Sequence, residues 1–257
     1  MTLFHEVIGK GHPLLFLHAG ICDSRMWEAQ VHAFSGDYQV IRYDQRGYGR
    51  SAPAEQPYSD IDDLRDMLDK HHVTQAVLVG CSKGGIHALD FTLLHPHRVK
   101  ALVLVSAYPN NYEFTSDPPP IWEELVAAHR AHDLERIATL EVEMWLNTRR
   151  RPEPVAPALF EHVIAMNRIA VENEHNSTAK ADNPEVDALG RLPEVGVPFL
   201  AVAGDQDEVE IQQVAALMAG KVQAGRSLVM PGVAHLPSLE NPDLFNAHLS
   251  MFLKENL

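Results

Sequence analysis

Six short stretches of this chain, residues 14–17, 40–43, 76–79, 102–105, 199–202 and 227–230, are apolar at almost every position. A strand with one wet face alternates polar and apolar side chains. A strand covered by helices on both faces has no polar face to keep, and reads as a nearly unbroken apolar run. Helical patterns separate these runs, and this repeated alternation predicts an α/β fold on a mainly parallel sheet. Residues 3–8 suggest an additional N-terminal edge strand or hairpin. The helices carry their own punctuation. Ser59 followed by Asp62 predicts a capped start, with Ile61, Leu64 and Leu68 on one face. Pro96 predicts that the helix after Ser82 stops near His95. A helix over 209–218 is expected to end before Gly220, and the last helix to start with Asn241 as N-cap and Pro242 at its first position.

One region breaks this rhythm. Residues 109–187 contain no evident strand. Asp117-Pro118-Pro119-Pro120 opens them, and amphipathic stretches follow over 121–132, 134–147 and 155–175, the last two separated by Pro152, Pro154 and Pro157. The pattern predicts a helical insertion between two strands of one sheet. The expected organisation is a core of 1–108 and 188–257 with an inserted segment of 109–187, too dependent on its neighbour to form an independent domain.

Charge and cysteine content narrow the function classes. The formal net charge of −14 disfavours a polyanion partner such as nucleic acid, which needs excess Lys and Arg to release counterions. Arg149-Arg150-Arg151 is too short a run to change that, and reads as a solvated patch. Two cysteines, Cys22 and Cys81, make neither a disulfide framework nor a metal cage. The first residues lack the basic and apolar regions of a signal peptide, and no apolar run approaches a membrane span. These features predict a cytoplasmic protein with no membrane association and no bound metal. His71, His72, His95 and His97 lie near helix ends, where the dipole favours imidazolium.

The chemistry concentrates at Gly80-Cys81-Ser82-Lys83-Gly84. This G-x-S-x-G motif joins an apolar run to a helical pattern, the context of a nucleophile elbow, in which a sharp turn projects the serine hydroxyl. A serine hydroxyl needs a base to take its proton, and that base needs an acid to hold its tautomer. Both are present downstream at strand ends. The run at 199–202 leads into Gly204-Asp205-Gln206-Asp207, and the run at 227–230 leads into Pro231-Gly232-Val233-Ala234-His235. The order Ser82, Asp207, His235 is the one this motif uses. Asp205 is read as a turn residue making local backbone hydrogen bonds.

Together these segments resemble the α/β-hydrolase superfamily, in which the acid closes a G-x-x-D turn and the histidine sits in P-G-x-x-H-x-P-x-x-E-x-P, here Pro231 to Pro242. The resemblance covers nearly the whole chain outside the insertion, which it identifies as a helical cap. It implies an α/β-hydrolase fold with Ser82 as nucleophile, His235 as base and Asp207 as its orienting acid. Leu17-His18-Ala19-Gly20-Ile21 resembles the family's H-G-x-G loop, with Ala19 where glycine is usual, and implies that the N–H groups of Gly20 and Lys83 form the oxyanion hole. His18 is structural in that comparison. So is the D-x-R-G-x-G-x-S segment from Asp44 to Ser51, which ties down the loop beneath the site. Lys83 stands where the family more often has methionine; its side chain is expected to snorkel to solvent, although an ammonium there could also attract a carboxylate. Trp27, Trp145, Met144 and Met166 are candidate substrate-pocket residues, each weighed against plain core packing.

The resemblance implies a serine hydrolase cleaving a small, apolar carboxylic ester or lactone, with no cofactor. Within the fold, carbon–carbon bond hydrolysis and cofactor-free perhydrolysis are alternatives. Leu236 counts against the former, since those enzymes often carry tryptophan after the histidine. Ser82 argues against the dehalogenase and epoxide hydrolase branches, which use aspartate. A non-catalytic ligand-binding or signalling member is the reading from another class, and the presence of all three residues opposes it. The oligomeric state is left open.

Overall fold

The six apolar runs and the N-terminal segment become one seven-stranded sheet in the computed structural model, which describes residues 3–147, 149 and 154–257. The strands are β1 (His5–Ile8), β2 (His12–Leu17), β3 (Tyr38–Tyr43), β4 (Ala76–Cys81), β5 (Val99–Val105), β6 (Phe199–Gly204) and β7 (Gly225–Met230). Their spatial order is β1-β3-β2-β4-β5-β6-β7. β1 is antiparallel to β3, and every other pairing is parallel. Side chains of one strand serve two cores alternately. Ala76 and Leu78 of β4 enter the cluster on one face, while Val77, Val79 and Cys81 enter the other. β4 and β6 are buried at every position, which explains their lack of polar alternation.

The helices are α1 (Glu28–Phe34), α2 (Asp60–Lys70), α3 (Lys83–Leu94), α4 (Ile121–Ala131), α5 (Leu134–Leu146), α6 (Pro157–Asn176), α7 (Ala188–Arg191), α8 (Val209–Lys221), α9 (Pro237–Glu240) and α10 (Pro242–Asn256). The Ser59 hydroxyl accepts from the Asp62 N–H at 3.2 Å, and the Asn241 side chain caps α10 through the Leu244 N–H at 3.2 Å. α8 runs through Gly220 to Lys221, one turn beyond the expected stop. Gly220 keeps helical φ, so it does not act as a left-handed terminator there. The basic run at 149–151 falls largely outside the described residues.

α4, α5 and α6 form the insert between β5 and β6. Leu125, Ile137, Leu140 and Val171 give it a small core of its own. Val142, Leu146, Val163 and Met166 pack instead into the core beneath it, so the insert shares one apolar cluster with the sheet. Two polar clamps hold its leading segment. Glu210 of α8 accepts from the Thr115 and Ser116 N–H groups at 2.8 and 2.9 Å. On α3, Asp90 Oδ2 accepts from Asn110 Nδ2 at 2.9 Å, while Oδ1 is buried without a partner among the described residues.

Burial pushes the Asp90 carboxyl up to about 7, against the opposing pull of the Asn110 amide. The folded-state value thus lies above the ordinary 3.8, so the folded state holds this proton more tightly than the unfolded chain. Its contribution to stability is full below about pH 4 and declines as pH rises toward about 7. Asp90→Asn is expected to remove that decline and to stabilise the protein by on the order of 1–3 kcal/mol near pH 8. Urea denaturation of both proteins at about pH 5 and pH 8 checks it. Two of the four helix-end histidines, His71 and His95, differ from expectation. Burial, helped by neighbouring cationic groups, lowers the pKa of both.

Candidate active site

Ser82 occupies the turn between β4 and α3 with φ 49° and ψ −117°. A non-glycine residue at positive φ is uncommon and strained. The crowding around it explains the flanking glycines. A Cβ on Gly80 would lie 2.4 Å from the Gly84 carbonyl oxygen, and one on Gly84 would lie 2.5 Å from that of Leu17. Neither glycine has positive φ, so closeness of approach is what each supplies.

His235 and Asp207 reach the serine from the ends of β7 and β6. His235 Nδ1 stands 3.0 and 2.9 Å from the two Asp207 carboxylate oxygens, and its Nε2 stands 3.0 Å from Ser82 Oγ. The carboxylate accepts the Nδ1 proton, which leaves Nε2 free to accept from the serine hydroxyl. Imidazole and carboxylate are buried, while Ser82 is partly exposed. The two loops are laced together. Asp205 Oδ1 accepts from the Gly232 N–H at 2.7 Å and from the neighbouring Gln206 Nε2 at 3.2 Å, so its backbone partner lies across in the histidine loop. Glu240 brackets the histidine: its carboxylate accepts from the N–H groups of Ala234 at 2.8 Å and Leu236 at 2.9 Å. Nothing local to Glu240 in the sequence signals this role, although it stands in the P-G-x-x-H-x-P-x-x-E-x-P pattern. Cys81 is buried beside the site with burial holding its thiol well above its ordinary pKa, as an inert thiol should be.

Gly20 and Lys83 lie side by side, with the Gly20 Cβ direction 3.6 Å from Lys83 Cβ. Ala19 is fully buried without positive φ, so the missing glycine costs the loop no backbone strain. His18 braces this loop. Its Nε2 accepts from the Gln45 N–H at 2.9 Å, which assigns the ring proton to Nδ1, donated to the Ala19 carbonyl at 2.9 Å. Burial lowers its pKa, consistent with a neutral structural ring. Asp44 holds the neighbouring turn through the N–H groups of Ser24 and Arg50, both at 2.8 Å.

The chain that carries this site matches known proteins along most of its length. The family model described as the alpha/beta hydrolase fold matches residues 12–242. This chain belongs to the alpha/beta hydrolase fold family. It is 30% identical over 260 residues to a pimeloyl-[acyl-carrier protein] methyl ester esterase of Edwardsiella ictaluri, covering 98% of this chain and 97% of that one. It is 25% identical over 236 residues to 3-oxoadipate enol-lactonase 1 of Acinetobacter baylyi, covering 90% and 85%. Among solved structures, Est816, described as an N-acyl homoserine lactone degrading enzyme, matches with a TM-score of 0.74 at 26% identity, over 97% of this chain and 96% of that one.

Two cavities lie near the site of this α/β hydrolase, each lined by neighbours of Ser82, His235 and Asp207 and not by those three residues themselves. One, of about 350 Å³, is apolar and lined by Tyr108, Phe114, Trp122, Met144, Trp145 and Ile211 among others. Trp145 of α5 also stacks on the His235 ring, with centroids 4.1 Å apart and planes inclined by 28°. The other, of about 360 Å³, is polar and holds Lys83, Tyr48, Tyr58 and Arg46. The candidate pocket residues therefore divide. Met144 and Trp145 line a cavity. Trp27 and Met166 are fully buried core residues, Trp27 against Phe16 and Phe245, and they line neither of these two cavities. Lys83 also departs from expectation. Its ammonium turns inward to the Tyr48 hydroxyl at 3.1 Å, because the cavity offers it a polar partner nearer than bulk water. No helix among the described residues is long and apolar enough to cross a membrane.

Proposed function

We propose that this α/β hydrolase cleaves a small carboxylic ester or lactone through an acyl-enzyme on Ser82. The observation that carries the reading is the unbroken contact Asp207–His235–Ser82, at 2.9 and 3.0 Å, with Ser82 partly exposed and its two partners buried. His235 Nε2 takes the Ser82 proton as Oγ attacks the carbonyl carbon. Asp207 stabilises the imidazolium that forms. The Gly20 and Lys83 N–H groups receive the negative charge on the carbonyl oxygen. Collapse of the tetrahedral intermediate expels the alcohol, which takes the proton from His235. A water, deprotonated by the same nitrogen, then attacks the acyl-enzyme to release the acid and restore the serine. In a lactone the alcohol stays tethered to the acyl group, and the same steps open the ring. No step calls for a cofactor.

Residues 109–187 act in this reading as a cap. Met144 and Trp145 present apolar surface to the substrate, and Trp145 shields the outer face of the imidazole. The esterase and lactonase names of the relatives support the reaction class. A fluorophosphonate probe tests the reading directly, since it is attacked only by an activated serine. The wild type is expected to be labelled and Ser82→Ala to be silent. Equal labelling of the two, or no labelling of folded wild type, rejects the proposal.

A further inference from the structure

The polar cavity beside the oxyanion loop holds hydrogen-bond donors without acceptors. Lys83 Nζ donates to the Tyr48 hydroxyl at 3.1 Å and has no other hydrogen-bond partner among the described residues. Among the described residues no carboxylate stands within ion-pairing distance of it. Two ammonium hydrogens therefore remain available. The Tyr48 oxygen is already an acceptor, so its own O–H is directed elsewhere, and no acceptor for it occurs among the described residues. Three donor hydrogens are thus unclaimed on two residues that line one partly open cavity.

The other charged groups around that space are accounted for. Arg46 is committed to Asp63 through a bidentate pair at 2.6 and 2.7 Å. Asp60 lies buried on α2, where it accepts from Asn183 and faces His87. Glu174 and Lys180 sit exposed at the rim with opposite signs. Beneath the rim, Lys83 is thus the cation that lacks an ion-pair partner among the described residues, with the charge on Asp60 acting on it from farther away. Burial acts to discharge Lys83, but Tyr48 and the charge on Asp60 prevail and hold its pKa above the ordinary value.

Position ties these donors to the reaction. The Cβ direction of Gly20 lies 3.8 Å from Lys83 Cδ and 4.0 Å from the Tyr48 hydroxyl, so the lysine stem runs along the loop assigned to the oxyanion. The apolar cavity borders the His235 side instead, through Trp145.

From these contacts we infer that Lys83 and Tyr48 form a subsite for a carboxylate carried by the substrate, separate from the carbonyl that Ser82 attacks. An ammonium with open donor hydrogens but with the charges of Asp60 and Glu174 already in its neighbourhood suits a single negative charge better than a phosphate dianion. The inference rests on the hydrolase reading above and sharpens it: the preferred ester or lactone bears a free carboxylate at one end and apolar substance at the other.

Paired esters that differ only in charge test it. Mono-(4-nitrophenyl) adipate against 4-nitrophenyl hexanoate places the charge on the acyl side. 4-Carboxyphenyl hexanoate against phenyl hexanoate places it on the alcohol side. In at least one pair, Lys83→Met is expected to lower the charged-to-neutral ratio of kcat/KM by about tenfold or more, the scale of a charge-assisted hydrogen bond. Lys83→Arg should restore part of the ratio, and Tyr48→Phe should lower it by a smaller factor. Ratios unchanged by Lys83→Met, with the esters still cleaved, overturn the subsite and leave the hydrolase reading standing. Calorimetry with adipate alone reads the subsite without turnover. Binding by wild type that weakens in Lys83→Met supports it even if none of these esters is cleaved, and no binding by wild type overturns it.

Discussion

His235→Ala is expected to lower kcat toward a simple ester by about four orders of magnitude while leaving the fold intact. The nitrogen it removes is the one 3.0 Å from Ser82 Oγ, and no other base stands within hydrogen-bonding distance of that hydroxyl among the described residues. Without it the serine must attack as a neutral alcohol. Ser82→Ala should cost a similar factor, and the double variant little more, because the two groups act as one unit. Asp207→Asn should fall nearly as far for a different reason. An amide nitrogen facing Nδ1 would favour the tautomer with its proton on Nε2, which cannot accept from serine. Steady-state rates with circular dichroism as the check on folding decide the matter. Near-wild-type turnover by His235→Ala would show the residue roles to be wrong.

Gly204→Ala should damage both stability and turnover, though it adds a single methyl group. The new Cβ would stand 2.1 Å from the Val233 carbonyl oxygen and 2.2 Å from that of Ala234. Both are backbone atoms of the loop that delivers His235, so no side-chain rotation relieves the clash. Either the end of β6 or the histidine loop must move. A loss of about 2–3 kcal/mol is expected in urea denaturation. A fall of about a hundredfold in kcat/KM should accompany it, since small displacements of a positioned base are costly. Gly220→Ala is the matching control. It sits in α8 with nothing within 4 Å of its Cβ direction, and should gain about 0.5–1 kcal/mol from helix propensity. Equal behaviour of the two variants would refute the steric argument.

The strand pattern was readable because burial on both faces leaves a plain mark: β4 and β6 are apolar throughout and enclosed throughout. The glycines of the elbow were readable for the same reason, since a close backbone approach admits few other residues. What stayed hidden depends on contacts between distant segments. Trp27 and Trp145 have similar local signatures, but one fills the core against Phe16 and Phe245 while the other stacks on His235. Helical spacing gives a face without saying what that face meets. Lys83 was expected at the solvent boundary, and only the chain's return at Tyr48 creates the partner that draws it inward. Glu240 lay within a quoted motif, yet its bond to the Ala234 N–H exists only because the loop closes back on α9. The rise of the Asp90 pKa likewise comes from burial and a meeting with Asn110.

The backbone at Ser82, with φ near 49°, also limits which mutations this lineage can sample. Threonine, the nearest hydroxyl relative of serine, is branched at Cβ and fits poorly in left-handed geometry. Cysteine and aspartate lack that branch and meet a smaller penalty. Evolutionary drift at the elbow is thereby channelled toward a thiol or an oxyacid, so one turn of chain can exchange one type of reactive atom for another while the surrounding scaffold stays put.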